Sequence, residues 1–198
     1  QIKKRLEDFK KLGNAKDEDV FAELCFCILT PQSKAVYCDK AIDELRKNNL
    51  LFSGDQEHIS SKLKGFARFH NKKSSYLIAA RRIFQQGKKK ISIKNILKKE
   101  NALKTREWLV KNIKGLGYKE ASHFLRNTGQ GNDIAILDVH IMRNLKRLGV
   151  VRKIPSSISR KTYLEIEDKM RKFSRRINIP LEELDLLFWS NQTGFIFK

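Results

Sequence analysis

Lys119 and Asp138 have the residue types and the surroundings needed for chemistry at a carbon that becomes positively charged. Lys119 follows the Gly115-Leu116-Gly117 turn at the predicted start of a helix. Asp138 ends an apolar run about twenty residues later, where it is predicted to cap the next helix. A helix N-terminus, neighbouring cations and loss of water all favour the neutral, nucleophilic form of a lysine amine. A carboxylate can stabilise a developing cation and assist proton transfer. Together they could carry out nucleophilic catalysis.

The glycine turn before Lys119 connects two predicted helices. Apolar residues at 108–110 and at 121–125 have helical spacing, so the glycines between them predict a helix-turn-helix hairpin. Glycine permits positive φ, and the turn leaves the backbone N–H groups of Gly115, Leu116 and Gly117 bare beside the positive end of a helix dipole. Such a turn can bind a phosphate. The alternative is that the glycines only end one helix and start the next.

The charge of the chain favours a polyanionic partner. Its 198 residues include 42 Lys and Arg against 22 Asp and Glu, which gives a net charge of +20, and a basic turn at residues 87–90 adds to the positive field. Nucleic acid is the leading candidate, because the longest apolar run, residues 24–29, is too short to span a bilayer and no signal peptide is predicted. We therefore expect no association with a membrane.

The hydropathy pattern predicts an all-α fold. Apolar residues recur at helical spacing along most of the chain, and residues 20–28 are apolar over much of their helix, which predicts a central position for it. The length suffices for one domain or two small lobes. Cys25, Cys27 and Cys38 lack the spacing of a metal site and are expected to be buried thiols, so no bound metal is expected.

The hairpin, Lys119 and Asp138 together resemble the helix-hairpin-helix, Gly/Pro-rich-loop, aspartate motif of the base-excision DNA glycosylases. The linker at residues 128–133 departs from that motif, because it has glycines but no proline. The segments 21–30, 119–127 and 189–194 extend the likeness over nearly the whole chain, and with them the sequence resembles the compact 8-oxoguanine DNA glycosylase/AP lyases of archaea and some bacteria.

This resemblance implies a fold and a reaction. The fold would have two helical lobes, residues 22–131 and residues 1–21 with 132–198, with the active site in the cleft between them. Lys119 would form a Schiff base with the sugar, Asp138 would stabilise the cation, and β-elimination would nick the strand. No metal or organic cofactor is required. The expected partner is duplex DNA that contains oxidised guanine or an abasic site, bound by a single copy of the chain inside a prokaryotic cell, in the cytoplasm or at the nucleoid.

Two other functions remain open on the sequence alone. One is an endonuclease III-like glycosylase for oxidised pyrimidines, although many such proteins carry a four-cysteine iron–sulfur cluster near the C-terminus and no cysteine follows Cys38 here. The other is a non-enzymatic helix-hairpin-helix module that only binds DNA phosphates. The charge and the glycine turn suit such a module, but it gives no reason for Lys119 and Asp138 to occur together.

Three residues are candidates for contacts inside the duplex. Gln32 lies in a segment, residues 29–33, that resembles the Leu-Ser-x-Gln segment of the glycosylase family, whose glutamine enters the space left by the damaged base. The alternative is a polar residue that caps a helix after a proline turn. Arg68 and Phe69 could wedge the duplex or face the orphaned base. The alternative for Phe69 is packing in the core.

The last ten residues supply candidates for recognition of the damaged base. Trp189 and Lys198 resemble the segment that completes the base pocket in the compact 8-oxoguanine enzymes. An aromatic ring such as Trp189 could pack against the flipped base, and the terminal carboxylate at Lys198 could accept a hydrogen bond from it. The alternative is a frayed chain end with Trp189 in the core.

Overall fold

In the part of the chain that the computed structural model describes, all regular secondary structure is α-helical. The structure describes residues 1–85 and 92–198, so the basic turn expected at 87–90 lies outside it, and no strand occurs in the described residues. The prediction of an all-α fold is confirmed. None of the described helices combines the length and hydropathy needed to cross a membrane. In chain order, the helices are α1 (Ile2–Asn14), α2 (Asp17–Leu29), α3 (Ala35–Lys47), α4 (Leu50–Ser53), α5 (Gln56–Leu63), α6 (His70–Gln85), α7 (Ile93–Lys99), α8 (Ala102–Asn112), α9 (Tyr118–Asn127), α10 (Val139–Arg147), α11 (Arg160–Arg176) and α12 (Leu181–Thr193).

The chain divides into two compact units. One is contiguous, residues 15–124, and the other is discontinuous, residues 1–14 with 125–198. The lobes expected from the resemblance, 22–131 and the remainder, have somewhat different limits, and that assignment stays a prediction. The contact-based limit at residue 15 keeps α2 whole, whereas a limit at residue 22 would divide it.

Helix α2 is central to the contiguous unit, as its sequence predicts. It packs against α3, α6 and α7, and each residue from 20 to 29 is buried. All three cysteines are buried thiols, as expected. Burying residues 20–29 removes a large apolar surface from water, and this burial stabilises the unit.

The predicted hairpin is present as α8, a short turn and α9. The guanidinium of Arg106, which is 1% exposed, donates to Ser122 Oγ at 3.1 Å and lies 5.3 Å from the ring centroid of Tyr118. Tyr118 in turn donates from its hydroxyl to Glu107 at 2.6 Å. These contacts join α8 to α9 and therefore fix where the second helix begins.

The discontinuous unit is organised around α12. This helix packs against α1, α10 and α11. Its buried Asp185 lies 3.6 Å from the guanidinium of Arg126, which also lies 4.8 Å from the ring centroid of Phe9. The charge of Arg126 is therefore held between a carboxyl group and an aromatic face, two environments that stabilise a partly desolvated cation.

Gly115→Ala should destabilise the protein more than Gly65→Ala. Both glycines have positive φ, 89° and 86°, which costs an alanine about 1–2 kcal/mol. Only at Gly115 would the added Cβ approach the ring of Tyr76 closely, at 2.5 Å from Cδ2, whereas nothing lies within 4 Å at Gly65. Urea unfolding of the two variants measures the difference. Equal losses would show that the ring of Tyr76 does not constrain the turn.

Candidate active site

Lys119 lies in the first turn of α9, where its side chain is 26% exposed. Its Nζ lies 3.1 Å from Glu120 Oε1. The other oxygen of Glu120 accepts a hydrogen bond from the N–H of Gly117 at 3.2 Å, as the acidic residue of a capping box does. In this resting arrangement the amine is paired with a carboxylate, so it must leave Glu120 before it can act as a nucleophile.

A buried thiol lies in the electrostatic environment of Lys119. Burial raises the pKa of Cys38 to about 11, although the ammonium groups of Lys73 and Lys119 act in the opposite direction. The thiol is therefore neutral at physiological pH and does not act as a thiolate counter-ion. Glu120 supplies the negative charge next to the amine.

Only one of the two glycines in the turn has the positive φ that glycine permits. Gly115 has φ 89°, but Gly117 is not in the positive-φ region, because it directly precedes α9 and already accepts from Ala121 N in the helical pattern. The N–H of Leu116 donates to Ile113 O at 3.3 Å. The N–H of Gly117 is engaged by Glu120, so a phosphate at this N–H would have to replace that carboxylate oxygen.

Asp138 is the N-cap of α10, as its sequence position predicts. Its Oδ1 accepts from the N–H of Ile141 at 2.8 Å, and its φ and ψ, −86° and −179°, are those of an extended residue before a helix. Oδ2 has no hydrogen-bond partner among the described residues of the discontinuous unit. One oxygen of the carboxylate thus orients the group, and the other is available for chemistry.

Helix α11 holds the extended backbone that leads to Asp138. Tyr163 donates from its hydroxyl to Ala135 O at 2.6 Å and accepts from Leu137 N at 3.3 Å. Glu167, which is 2% exposed, accepts from Ala135 N at 2.8 Å. These contacts satisfy buried peptide groups that belong to no helix, so they define the direction in which the chain enters α10.

Asp185 is a second carboxyl group in the electrostatic environment of Asp138. Burial raises the pKa of Asp185 to about 7; the cation of Arg126 opposes this rise and the negative charge of Asp138 adds to it. Protonation of Asp185 therefore changes the charge near Asp138 within the physiological pH range.

The three duplex-contact candidates lie on two adjoining loops of the contiguous unit. Gln32, Arg68 and Phe69 are all exposed, and Ser33 Oγ accepts from the N–H of Arg68 at 3.0 Å. The side chain of Phe69 is not in the core, because the residue is 54% exposed. Gln32 does not cap the next helix, since α3 begins at Ala35 and its N-cap is Lys34. The roles of Gln32, Arg68 and Phe69 in DNA binding stay predictions.

Trp189 belongs to an aromatic group at the end of the chain. Its ring centroid lies 5.2 Å from that of Phe195 and 6.5 Å from that of Phe197, in an edge-on and a nearly parallel arrangement. Trp189 and Lys198 are both partly buried, so Trp189 is not a fully buried core residue. Base recognition by these two residues stays a prediction.

Several residues around the site were not identified from the sequence. Glu120 could have been found, because an acidic residue three positions after Gly117 completes the pattern of a capping box. Tyr163, Glu167 and Asp185 give no local signal, since their partners lie far away in the chain. Among the described residues, no group of three or more His, Cys, Asp or Glu side chains is arranged to bind a metal.

The chain is similar to 8-oxoguanine DNA glycosylases along its whole length. The sequence model of a family described as 8-oxoguanine DNA glycosylase matches residues 2–179. An 8-oxoguanine DNA glycosylase/AP lyase of Fusobacterium nucleatum is 47% identical, and one of Methanocaldococcus jannaschii is 42% identical; each alignment covers 100% of this chain and 91% of the relative.

Solved structures of an 8-oxoguanine DNA glycosylase are also similar to this chain along its whole length. The crystal structure of the Methanocaldococcus jannaschii 8-oxoguanine DNA glycosylase has a TM-score of 0.88 at 42% identity, over 100% of this chain and 88% of that one. The same archaeal enzyme in complex with a 15mer DNA containing 8-oxoguanine has a TM-score of 0.89 at 41% identity, over 100% of this chain and 91% of that one.

Asp185→Asn should flatten the pH dependence of stability. Because the folded-state pKa of Asp185 is raised above the unfolded value of about 3.9, its contribution to stability is full below that value and is lost as the pH rises towards 7. Urea unfolding between pH 4 and 8 should therefore show a difference between wild type and variant that shifts by a few kcal/mol in favour of the variant at the higher pH. A difference that does not vary with pH would contradict this account of Asp185.

Proposed function

The chain belongs to the 8-oxoguanine DNA glycosylase family, and from that premise we propose that Lys119 and Asp138 carry out its chemistry. The protein is a DNA glycosylase with AP lyase activity that removes 8-oxoguanine, and its partner is DNA. The positions of the two residues on their helices support this assignment. Lys119 lies in the first turn of α9, directly after the glycine turn, and Asp138 caps α10 through only one of its two carboxylate oxygens.

The reaction needs a nucleophile and a negative charge. Departure of the base leaves an oxocarbenium-like sugar, and the neutral amine of Lys119 attacks C1′ of that sugar. Opening of the ring and loss of a proton turn the adduct into a Schiff base. Removal of a C2′ proton then breaks the bond between C3′ and the 3′ oxygen, and this β-elimination nicks the strand. Asp138 stabilises the cation and assists the proton transfers.

Binding of DNA would prepare the amine. A backbone phosphate at the turn of Gly115, Leu116 and Gly117 would accept from the N–H of Gly117 in place of Glu120. Glu120 would then lose one of the contacts that keep it at Lys119, and desolvation beneath the duplex would favour the neutral amine. The phosphate contact and the activation of the nucleophile are thereby coupled.

The other candidate residues would contact bases of the bound DNA. We propose that Gln32, Arg68 and Phe69 occupy or face the space opposite the lesion, and that Trp189 and Lys198 contact the flipped base. One chain supplies both Lys119 and Asp138, so we propose that the enzyme acts as a monomer. Since its partner is DNA, we propose that the enzyme is located at the nucleoid of a prokaryotic cell.

Lys119→Gln should bind lesion DNA but form no covalent complex. Glutamine keeps a polar side chain of similar size and removes the amine needed for the Schiff base. Wild type and variant are incubated with a duplex containing one 8-oxoguanine opposite cytosine and treated with borohydride, and the trapped complex is resolved on a denaturing gel. Affinity is measured separately by fluorescence anisotropy.

Lys114→Gln is the matched control, because it removes an exposed lysine from the same turn. This variant should give trapping close to the wild-type yield. Wild-type yield from Lys119→Gln would transfer the role of nucleophile to another amine.

A duplex with an oxidised pyrimidine tests substrate choice, and preferred trapping on it would contradict the assignment to 8-oxoguanine.

Asp138→Asn should reduce chemistry more than binding or stability. Asparagine caps a helix about as well as aspartate, so the fold should be kept, whereas the charge that meets the cation near the transition state is lost. Single-turnover excision should fall on the order of 100-fold or more with duplex affinity almost unchanged. Asp133→Asn removes an exposed carboxyl group from the same loop and should leave excision unchanged. An equal loss in both variants would make Asp138 structural.

A further inference from the structure

Lys73 of α6 is a buried cation whose donors are all used by the chain. The residue is 4% exposed, and its Nζ donates to Leu29 O at 2.6 Å, to Pro31 O at 2.8 Å and to Ser33 Oγ at 2.9 Å. A lysine ammonium has three donors. All three are therefore directed at one short turn, residues 29–33, which contains Gln32.

This arrangement is costly, since the three acceptors of the Lys73 ammonium are two carbonyl groups and a hydroxyl group, none of them charged. Desolvation lowers the pKa of Lys73, and the cations of Lys119 and Arg68 act in the same direction; Cys38 and Glu120 oppose them. An apolar side chain at this position would avoid that penalty. The ammonium must therefore contribute something that an apolar residue would not.

The backbone of the two loops shows what the ammonium stabilises. Four non-glycine residues in the described part of the chain have positive φ: Gln32 (54°), Asn49 (54°), Phe69 (58°) and Asn178 (54°). Asparagine tolerates this conformation, whereas glutamine and phenylalanine do so rarely. The two unfavourable residue types thus lie in the two loops that meet beside Lys73, and both are exposed.

Ser33 connects these loops. Its Oγ accepts from Lys73 Nζ at 2.9 Å and from the N–H of Arg68 at 3.0 Å, so the ammonium reaches the second loop through one hydroxyl group. The guanidinium of Arg68 then lies 5.4 Å from the ring centroid of Phe69. The contacts of Lys73 therefore flank Gln32 on both sides in the chain and reach the backbone of Arg68 through Ser33.

We propose that Lys73 is a positioning residue that holds the Gln32 turn and the Arg68–Phe69 loop in the single arrangement that presents their side chains to the strand opposite the lesion. The proposal rests on the function proposed above. Lys73 itself touches no DNA in this scheme. Lys73 keeps the positive-φ backbone conformations of Gln32 and Phe69 in place before DNA binds. Ordering these residues therefore does not reduce the free energy of DNA binding.

The first test compares Lys73→Met with Lys72→Met by hydrogen exchange of the whole protein without DNA. Both variants lose one lysine from the same end of α6, but Lys72 is exposed. Exchange should accelerate about 10-fold or more at the amides of Ser33 and Arg68 in Lys73→Met only, with the hairpin of α8 and α9 unaffected. Unchanged exchange at both amides would overturn the proposal, and so would an equal acceleration throughout the protein.

The second test asks whether loss of order in the Gln32 turn and the Arg68–Phe69 loop slows cleavage only when the substrate has an opposite strand. Cleavage at a preformed abasic site is measured in a duplex and in the same strand unpaired, with the ratio of the two rates as the readout. Lys73→Met should lower that ratio by about 10-fold relative to wild type, since only the duplex needs the two loops. An unchanged ratio overturns the proposal.

Ser33→Ala keeps the test decisive if Lys73→Met fails to fold. This variant leaves the two carbonyl contacts of Lys73 and removes the Ser33 hydroxyl, which accepts from both Lys73 and Arg68. It should lower the ratio by a smaller factor, about 3-fold, and accelerate exchange at Arg68.

Failure of the proposed function can be distinguished from failure of the positioning role. If the proposed function is wrong, wild type forms no borohydride adduct, whereas failure of the positioning role leaves that adduct intact.

Discussion

The turn at Gly115 is the constraint on which the position of Lys119, the proposed nucleophile, depends. Its positive φ and the nearby ring of Tyr76 exclude a side chain there, so the chain leaves α8 and enters α9 in one way. The contact of Arg106 with Ser122 then fixes the second helix against the first. The first turn of α9 consequently holds Lys119 at a helix N-terminus, where backbone N–H groups attract anions and the helix dipole disfavours a second positive charge.

Each compact unit has carboxyl groups next to one of the two proposed catalytic residues. Glu120 pairs with the resting amine and closes the N-terminus of α9, whereas Asp138 uses one oxygen as a helix cap and keeps the other available within its unit. Asp185 titrates near neutral pH and modulates the charge near Asp138. The contacts of Tyr163 and Glu167 with the preceding backbone give Asp138 a defined direction that a flexible linker would not provide.

The sequence predicts the features that depend on residues close together in the chain. The helices, the hairpin and the cap at Asp138 follow from apolar spacing, glycine and residue type within a few positions, and the structure confirms them. The sequence does not show which glycine of the turn has positive φ: Gly115 does, whereas Gly117 does not, because it directly precedes α9 and already accepts from Ala121 N. The role of Lys73 could not be predicted, since the residues it contacts are 40 to 44 positions away and only folding brings them to its ammonium.

If Lys119 is the nucleophile, it becomes covalently bound to the sugar that has lost 8-oxoguanine. Borohydride reduction of wild-type enzyme on a duplex with a single 8-oxoguanine, followed by protease digestion and tandem mass spectrometry, identifies the residue that carries the sugar. We expect the sugar remnant on Lys119, with that residue protected from trypsin. A remnant on any other lysine, or strand cleavage without any adduct, would show that Lys119 is not the nucleophile.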